Sequence, residues 1–189
     1  MKKVILLLLV LFGFTATSWA TTISDLANWT WTDSSNKTHH YWVIEDHVTW
    51  DQAFQTVSGF GDKFYLATIT SQEEQDLMEA GLARFSGEYW LGGVQAPGMD
   101  PLDGWEWSNG EAFEYTNWKT GEPNDWGKWD ERHLGTWSRY QWQWNDEHGR
   151  ANIKGYIVEA IPNPEPTTML LFGFGLLGVA GIGRKTLSA

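Results

Sequence analysis

Five oxygen-bearing side chains are concentrated in one short stretch of the sequence. Glu122 and Asn124 flank a proline, Glu131 follows in Trp-Asp-Glu, and Asn145 and Asp146 end the tripeptide Trp-Asn-Asp. A hard dication such as Ca²⁺ takes about 6–8 oxygens from carboxylates, amide carbonyls, backbone and outside molecules. Five side chains, with one of them adding its backbone carbonyl, leave about two coordination positions open. Two neighbouring sugar hydroxyls could fill them, so the stretch predicts a calcium site with room for an outside ligand.

The first of these motifs also has an ordinary interpretation. Gly, Pro, Asn and Asp are turn-forming residues, and Gly-Glu-Pro-Asn-Asp at 121–125 by itself is typical of an acidic surface loop. Short motifs match by chance, which favours the loop when the tripeptide is considered alone. The presence of both motifs in this order, within one short segment, favours the metal site.

Length and composition limit the classes of protein to consider. The chain has 189 residues, which is room for one ordinary domain with appendages. Lys2 and Lys3, the apolar run 4–14 and the small residues at 18–20 predict a secretory signal peptide over residues 1–20. The chain has no cysteine, which excludes thiol catalysis and thiolate metal sites. A net charge of −11 disfavours nucleic acid and anionic lipid as partners.

Tryptophan is unusually abundant, with 14 residues in the chain. An indole ring fills a hydrophobic core, or it stacks its face on the apolar face of a sugar ring. We expect most of these residues to lie in the core.

The elements that must position the oxygen ligands form an α+β pattern. Capping boxes beginning at Thr49 and Ser71 precede apolar residues at helical spacing, and they predict helices over residues 49–58 and 71–85. Residues 21–38 are polar and predict an N-terminal arm. Segments rich in aromatic and β-branched residues predict short strands at 40–44, 64–69, 89–93, 104–107 and 155–161. Residues 141–146 alternate, so we expect Trp142 and Trp144 on one face of a strand and Asn145 on the other.

Together these segments resemble C-type lectin domains. The resemblance rests on Glu-Pro-Asn at 122–124 and Trp-Asn-Asp at 144–146, supported by Leu-Ala-Thr-Ile at 66–69 and Tyr-Trp-Leu-Gly at 89–92. It covers about residues 39–161. It implies an α+β C-type lectin-like fold with two helices, short antiparallel sheets and a long calcium-binding loop region. The disulfides that animal members use are missing here.

The resemblance also implies a ligand set. Glu122, Asn124, Glu131, Asn145 and Asp146 match the ligands of the primary calcium ion, and the first four match the side chains that hydrogen-bond to the sugar. It implies a non-enzymatic protein with Ca²⁺ as its cofactor and a carbohydrate as its partner. Glu-Pro-Asn is typical of binding to mannose, glucose, N-acetylglucosamine or fucose.

Three details of this ligand set are less regular. The bond before Pro123 is expected to be cis, which costs an X-Pro bond about 0.5–1 kcal/mol. Asp130 stands beside Glu131, and either carboxylate could bind the ion. An accessory calcium ion, which family members often carry, is not expected, because Gln95 and Arg132 stand where acidic ligands would be needed.

The C-terminal segment has a separate character. Pro164, Glu165 and Pro166 precede an apolar run at 167–183 and a basic pair, Arg184 and Lys185. Seventeen residues is near the lower limit for a membrane span. The segment 162–189 resembles the bacterial PEP-CTERM sorting signal, which implies recognition by an exosortase, a membrane-anchored intermediate, and a final place at the cell surface or in the extracellular matrix. A plain C-terminal anchor is the alternative.

Two other functions compete with sugar binding. Paired carboxylates serve as acid and nucleophile in polysaccharide hydrolases, and Glu122 with Glu131 or Asp146 offers such a pair. No Ser-His-Asp or His-Glu-X-X-His pattern is present, and His133 and His148 are isolated in the sequence. The second competitor is a lectin-like module that binds a protein without a sugar.

Overall fold

A computed structural model of the chain describes residues 28–126, 129–150 and 153–161. The predicted signal peptide and the predicted C-terminal sorting segment lie outside these residues. No helix in the described ranges is long and apolar enough to cross a lipid bilayer. The elements, in chain order, are β1 Trp29–Thr32, β2 Thr38–Ile44, α1 Trp50–Ser58, β3 Phe64–Leu66, α2 Gln72–Leu82, β4 Glu88–Gln95, β5 Trp105–Trp107, β6 His133–Trp137, a 3₁₀ turn Ser138–Tyr140, β7 Trp144–Glu147 and β8 Gly155–Ala160.

The first helix begins where its capping box predicts. The Thr49 hydroxyl accepts a hydrogen bond from the Gln52 backbone N–H at 3.2 Å, and the Gln52 side chain accepts one from the Thr49 N–H at 3.0 Å. This exchange satisfies two backbone donors that would otherwise be unpaired at the start of a helix. Trp50, Ala53 and Val57 then share the buried face of α1, as their spacing predicts.

The second helix is shorter than the sequence predicts, because it ends at Leu82 and not at residue 85. Ser71 caps it by accepting from the Glu74 N–H at 3.1 Å. The predicted capping box is incomplete, since the Glu74 carboxylate accepts from the Thr70 N–H at 2.8 Å and from the Tyr41 hydroxyl at 2.6 Å. A residue predicted to cap the helix therefore joins α2 to β2.

One eight-stranded sheet organises the domain, with the strand order β1-β2-β8-β4-β6-β7 and with β3 and β5 paired to β8 and β4. All neighbours are antiparallel except β4 and β8, which run parallel. The closing strand β8 pairs with β2 near the start of the domain, as predicted. This arrangement places β7, which carries Asn145 and Asp146, at the end of the sheet path.

Two sequence predictions for the strands need correction. Trp29–Thr32 is not part of a separate arm, because it pairs with β2 in a hairpin whose register places Trp29 opposite Tyr41. The alternating strand predicted for 141–146 is wrong at its start. Gln141 and Trp142 have φ values of 57° and 65°, so they form a turn, and the strand begins only at Trp144. Within β7, Trp144 and Asn145 still alternate, and both are buried, so both faces of this strand are covered.

Tryptophan supplies much of the core, as the composition predicts. One cluster of buried side chains packs around Met78 and Leu82 of α2 and includes Trp144, and a second packs around α1 and includes Trp90. Both indoles are fully buried, and each N–H has an acceptor: Trp144 donates to the Gln75 side chain and Trp90 to the Val48 carbonyl. A buried indole without such a partner would cost free energy on folding.

A close approach between α2 and β1 provides a test of this packing. A Cβ atom at Gly81 would lie 2.4 Å from the nearest atom of the Trp29 ring. Helix propensity alone favours alanine over glycine by about 1 kcal/mol, but the indole would have to move. We expect Gly81→Ala to reduce the free energy of unfolding by about 1–3 kcal/mol, the usual cost of overpacking. Urea unfolding measures the change.

The matched control for this prediction is Ala80→Ser, which adds one heavy atom at an exposed position of the same helix. It should change the free energy of unfolding by no more than about 0.5 kcal/mol. A stabilising effect of Gly81→Ala would contradict the close contact with Trp29.

Candidate metal centre

A backbone connection outside the sheet brings the two predicted ligand segments together. The Trp144 N–H donates to the Asn117 carbonyl, and the Trp144 carbonyl accepts from the Lys119 N–H, each at 2.9 Å. The Trp118 ring packs edge-on against Trp144, with the ring centroids 5.7 Å apart. The chain that leads to Glu122 therefore runs beside the strand that carries Asn145 and Asp146.

The carboxylate of Asp146 joins the two motifs directly. Its Oδ2 atom accepts hydrogen bonds from the backbone N–H groups of Asn124 and Asp125, at 2.9 and 2.8 Å. The side chain is 1% exposed, and its Oδ1 atom is buried without a hydrogen-bond partner among the described residues. A buried carboxylate oxygen without a partner is unfavourable, and a bound cation would satisfy it.

The loop between the motifs folds back on Glu131. The Glu131 carboxylate accepts from the Trp126 N–H at 2.7 Å, and the Glu131 N–H donates to the Asp125 carboxylate at 2.8 Å. Glu131 is 8% exposed. Asp130 is exposed and forms an ion pair with Arg132 at 3.1 Å. The sequence left open whether Glu131 or Asp130 is the metal ligand. Of the two, Glu131 is the one whose carboxylate is hydrogen-bonded within the loop.

Glu122 and Asn124 form the exposed side of the group of five predicted ligands. The peptide bond between Glu122 and Pro123 is cis, the isomer that the sequence predicts, and Pro123 is buried. The Asn124 amide donates to the Glu122 carboxylate. Asn124 is exposed and Glu122 is half-buried, whereas Glu131, Asn145 and Asp146 are buried. The group therefore has a buried side and a side open to solvent.

Asn145 faces a pair of carboxyl groups that sequence reasoning missed. Its amide donates to Glu147 at 2.9 Å and to Glu88 at 3.4 Å. Burial, together with the charge of Glu147, raises the pKa of Glu88 to about 8. Glu147 follows the Trp-Asn-Asp motif directly, but Glu88 is 57 residues away and reaches Asn145 only because β4 and β7 both pair with β6. No local pattern marks such a contact.

The electrostatics of the predicted ligands favour a bound cation. Burial raises the pKa of Glu131 to about 7, although the Trp126 N–H opposes this effect. Burial and the neighbouring Asp146 raise the pKa of Glu122, and burial raises the pKa of Asp146 against the hydrogen bonds that it accepts. Burial is the main cause in all three groups, and the negative charge of Asp146 adds to it for Glu122 and Glu131. A dication among them would reverse this effect, and the oxygen-only donor set suits Ca²⁺.

A second group of ligand-type side chains lies elsewhere in the fold. Within the described ranges, only His39, Glu74 and Glu159 bring three such atoms all within 4.8 Å of one another. Glu122, Glu131 and Asp146 do not form such a group among the described residues. The three buried groups already have protein partners: the His39 imidazole lies 2.5 Å from Glu159, and Glu74 accepts from Tyr41 and Thr70. These contacts give the cluster a role in joining β2, α2 and β8.

Gln95 and Arg132, on which the expectation of no accessory calcium ion rests, contact protein groups. The Gln95 amide donates to the carbonyls of Asp100 and Asp103, at 2.9 and 2.6 Å, and so braces the loop between β4 and β5. Arg132 pairs with Asp130.

The imidazole of His133 packs on the Trp50 ring, and burial lowers its pKa to about 4.

Several solved C-type lectin structures share the fold of this chain. The chain is similar to the cow C-type carbohydrate-recognition domain of CD23, solved in the presence of a GlcNAc2Man3 oligosaccharide, with a TM-score of 0.55, 24% identity, and coverage of 66% of this chain and 89% of that one. For the C-type lectin domain of murine dendritic cell inhibitory receptor 2, in complex with an N-glycan, the TM-score is 0.53 and the identity 26%, with coverage of 65% of this chain and 91% of that one. For the C-type lectin CEL-I from Cucumaria echinata, the TM-score is 0.55 and the identity 19%, with coverage of 66% of this chain and 91% of that one. These are similarities of fold.

The sequence comparisons concern the C-terminal segment. Residues 164–185 match the model of the PEP-CTERM protein-sorting motif, and this range includes Pro164, Glu165 and Pro166. The motif indicates export through a membrane-anchored sorting intermediate. None of the curated proteins matches the chain in sequence. The chain therefore has a C-type lectin fold and carries a C-terminal PEP-CTERM protein-sorting motif.

Proposed function

We propose that this protein binds carbohydrate in a calcium-dependent manner after its export. The observation that carries the proposal is the pair of hydrogen bonds from the Asn124 and Asp125 N–H groups to Asp146. These bonds hold together the two motifs that resemble the calcium-binding motifs of C-type lectins. The fold, shared with carbohydrate-recognition domains, supports sugar binding in general.

The proposed ligands are Glu122, Asn124, Glu131, Asn145 and Asp146. Bound calcium would offer its open coordination positions to two neighbouring hydroxyls of a sugar. The open side of the group belongs to Glu122 and Asn124, so these two side chains are the ones placed to hydrogen-bond the same hydroxyls. Glu131 and Asn145 contribute from the buried side. The Glu-Pro-Asn order favours sugars of the mannose, glucose, N-acetylglucosamine and fucose type.

The direct test measures glycan binding by the purified exported protein. We expect binding to neutral glycans of this type in the presence of calcium and its loss after chelation, because two hydroxyls of the sugar would be coordinated by the metal. Restoring calcium should restore binding, which separates metal loss from irreversible unfolding. Binding that survives chelation, or absence of binding to any glycan at saturating calcium, would refute the proposal.

A lectin-like module that binds protein is the second candidate. It would use another face, with the metal only bracing the loops. The double variant Glu122→Gln and Asn124→Asp separates the two functions, because a lectin should lose or change its sugar preference whereas a protein binder should keep its partner. A hydrolase is disfavoured because Asp146 and Glu131 accept backbone hydrogen bonds that brace the loop. Release of reducing ends from polysaccharide by the purified protein would revive it.

The sorting motif supports a place for this function outside the cytoplasm. An exosortase-type enzyme would recognise Pro164, Glu165 and Pro166 while the apolar segment 167–183 holds the protein at the membrane. We propose that the domain then reaches the cell surface or matrix and meets exopolysaccharide there. Weak binding by single sites would be offset by the display of many copies on one surface.

A further inference from the structure

Two tryptophans differ from all the others in the described ranges. Trp126 and Trp129 are 73% and 58% exposed, whereas every other described tryptophan is buried or half-buried. An exposed indole leaves a large apolar area in water, and such areas mark ligand-binding surfaces when they are grouped. Both residues lie in the loop between the two ligand motifs. The two exposed tryptophans are therefore neighbours of the proposed metal ligands in the sequence.

Backbone contacts attach this loop to the metal centre. The Trp126 N–H donates to the Glu131 carboxylate, and Glu131 lies only two residues after Trp129. The Trp129 ring contacts the His148 ring at a centroid distance of 4.8 Å, and His148 lies two residues after Asp146. Trp129 thus lies in the chain segment that carries Glu131 and contacts the segment that carries Asp146. Trp126 makes no ring contact with another described residue.

The geometry of the Trp129 contact leaves the indole available. The two ring planes meet at 66°, which is an edge-to-face contact and not a parallel stack. Whichever ring presents its edge, His148 covers at most one face of the indole. The other face is free of His148, and the imidazole limits the rotation of the side chain. A rigid aromatic ring of this kind binds a ligand at a low cost in conformational entropy.

We propose that Trp129, held in place by His148, is a subsite for a second pyranose ring of the glycan whose first ring binds at the metal centre. The proposal rests on the proposed function and specifies its ligand as a chain of at least two sugars. The apolar face of a pyranose ring matches the flat indole surface in size and polarity. A binding site that extends along two rings also explains why a tryptophan is exposed outside the metal centre.

The charges near this subsite define the glycan further. Asp125 and Asp130 lie in the same loop as Trp129, Glu147 directly precedes His148, and the chain as a whole carries a net charge of −11. Such a field repels an anionic polysaccharide. The ligand class is therefore a neutral oligosaccharide or polysaccharide and not one built from uronic acids.

The test compares Trp129→Ala with the intact exported protein, using mannose and an α-linked mannotriose as probes at saturating calcium. We expect the variant to bind calcium and mannose as the intact protein does, and to lose about fivefold to tenfold in affinity for the trisaccharide, as expected for one lost aromatic contact. Trp129→Phe should recover most of the loss. Leu102→Ala, which removes another exposed apolar side chain, is the matched control and should change neither affinity.

The outcomes separate this proposal from the one on which it rests. Equal affinity of Trp129→Ala and the intact protein for the trisaccharide would overturn the subsite while leaving calcium-dependent mannose binding in place. Equal losses for mannose and trisaccharide would also overturn it, because Trp129 would then act at the first ring. Tighter binding of an oligogalacturonate than of the mannotriose would overturn the neutral ligand class. Failure of the intact protein to bind any of the probes would refute the proposed function itself.

Discussion

Replacing Asp146 with asparagine is expected to lower the calcium affinity by about 100-fold, because ligand charge is a main determinant of affinity at such sites. The asparagine side chain has almost the same size, and its carbonyl oxygen can still accept hydrogen bonds from the Asn124 and Asp125 N–H groups. The fold should therefore survive. Isothermal titration of the chelated protein with calcium measures the affinity, and circular dichroism checks the fold.

The neighbouring residue Asp130 provides a matched control for this prediction. Asp130→Asn removes one negative charge from the same loop, but from an exposed side chain paired with Arg132. Its effect on calcium affinity should be at most a few-fold, since an exposed charge is screened by solvent. Loss of calcium binding in Asp130→Asn, with normal binding in Asp146→Asn, would show that the ligands come from the outer side of the loop and would refute the proposed centre.

Removing the imidazole of His39 is expected to destabilise the domain by about 3–5 kcal/mol, the usual cost of leaving a buried charge without its partner. Glu159 is completely buried, and His39 lies 2.5 Å from its carboxylate. The remaining partners of Glu159 are neutral: the Tyr65 hydroxyl at 3.0 Å and the Thr68 N–H at 3.0 Å. Urea unfolding of His39→Ala measures the loss.

Two further variants identify the cause of that destabilisation. Lys154→Ala breaks an ion pair with Glu45 that is partly exposed, and it should cost no more than about 1 kcal/mol. Adding Glu159→Gln to His39→Ala removes the buried charge, and the double variant should be more stable than the two single losses together predict. If His39→Ala costs no more than Lys154→Ala, or if the two changes are simply additive, the buried ion pair does not stabilise the fold.

The sequence was most informative where the determining interactions are local. The capping box of Thr49 and Gln52 fixes the start of α1, because the two residues that exchange hydrogen bonds are only three positions apart. The turn at Gln141 and Trp142 shows the limit of local patterns. The alternation of polar and aromatic residues predicted a strand from residue 141. Gln141 and Trp142 instead have positive φ values and form a turn, so the strand begins only at Trp144.

The sequence alone determined that the chain carries two oxygen-rich motifs, a tryptophan-rich domain and a C-terminal sorting motif, because residue type and spacing suffice for each. Only the tertiary structure decided which groups meet. It joined Asp146 to the Asn124 loop, turned Glu131 inward and Asp130 outward, and paired His39 with Glu159 across 120 residues. Contacts between distant segments depend on strand order and register, which leave no periodic trace in the sequence.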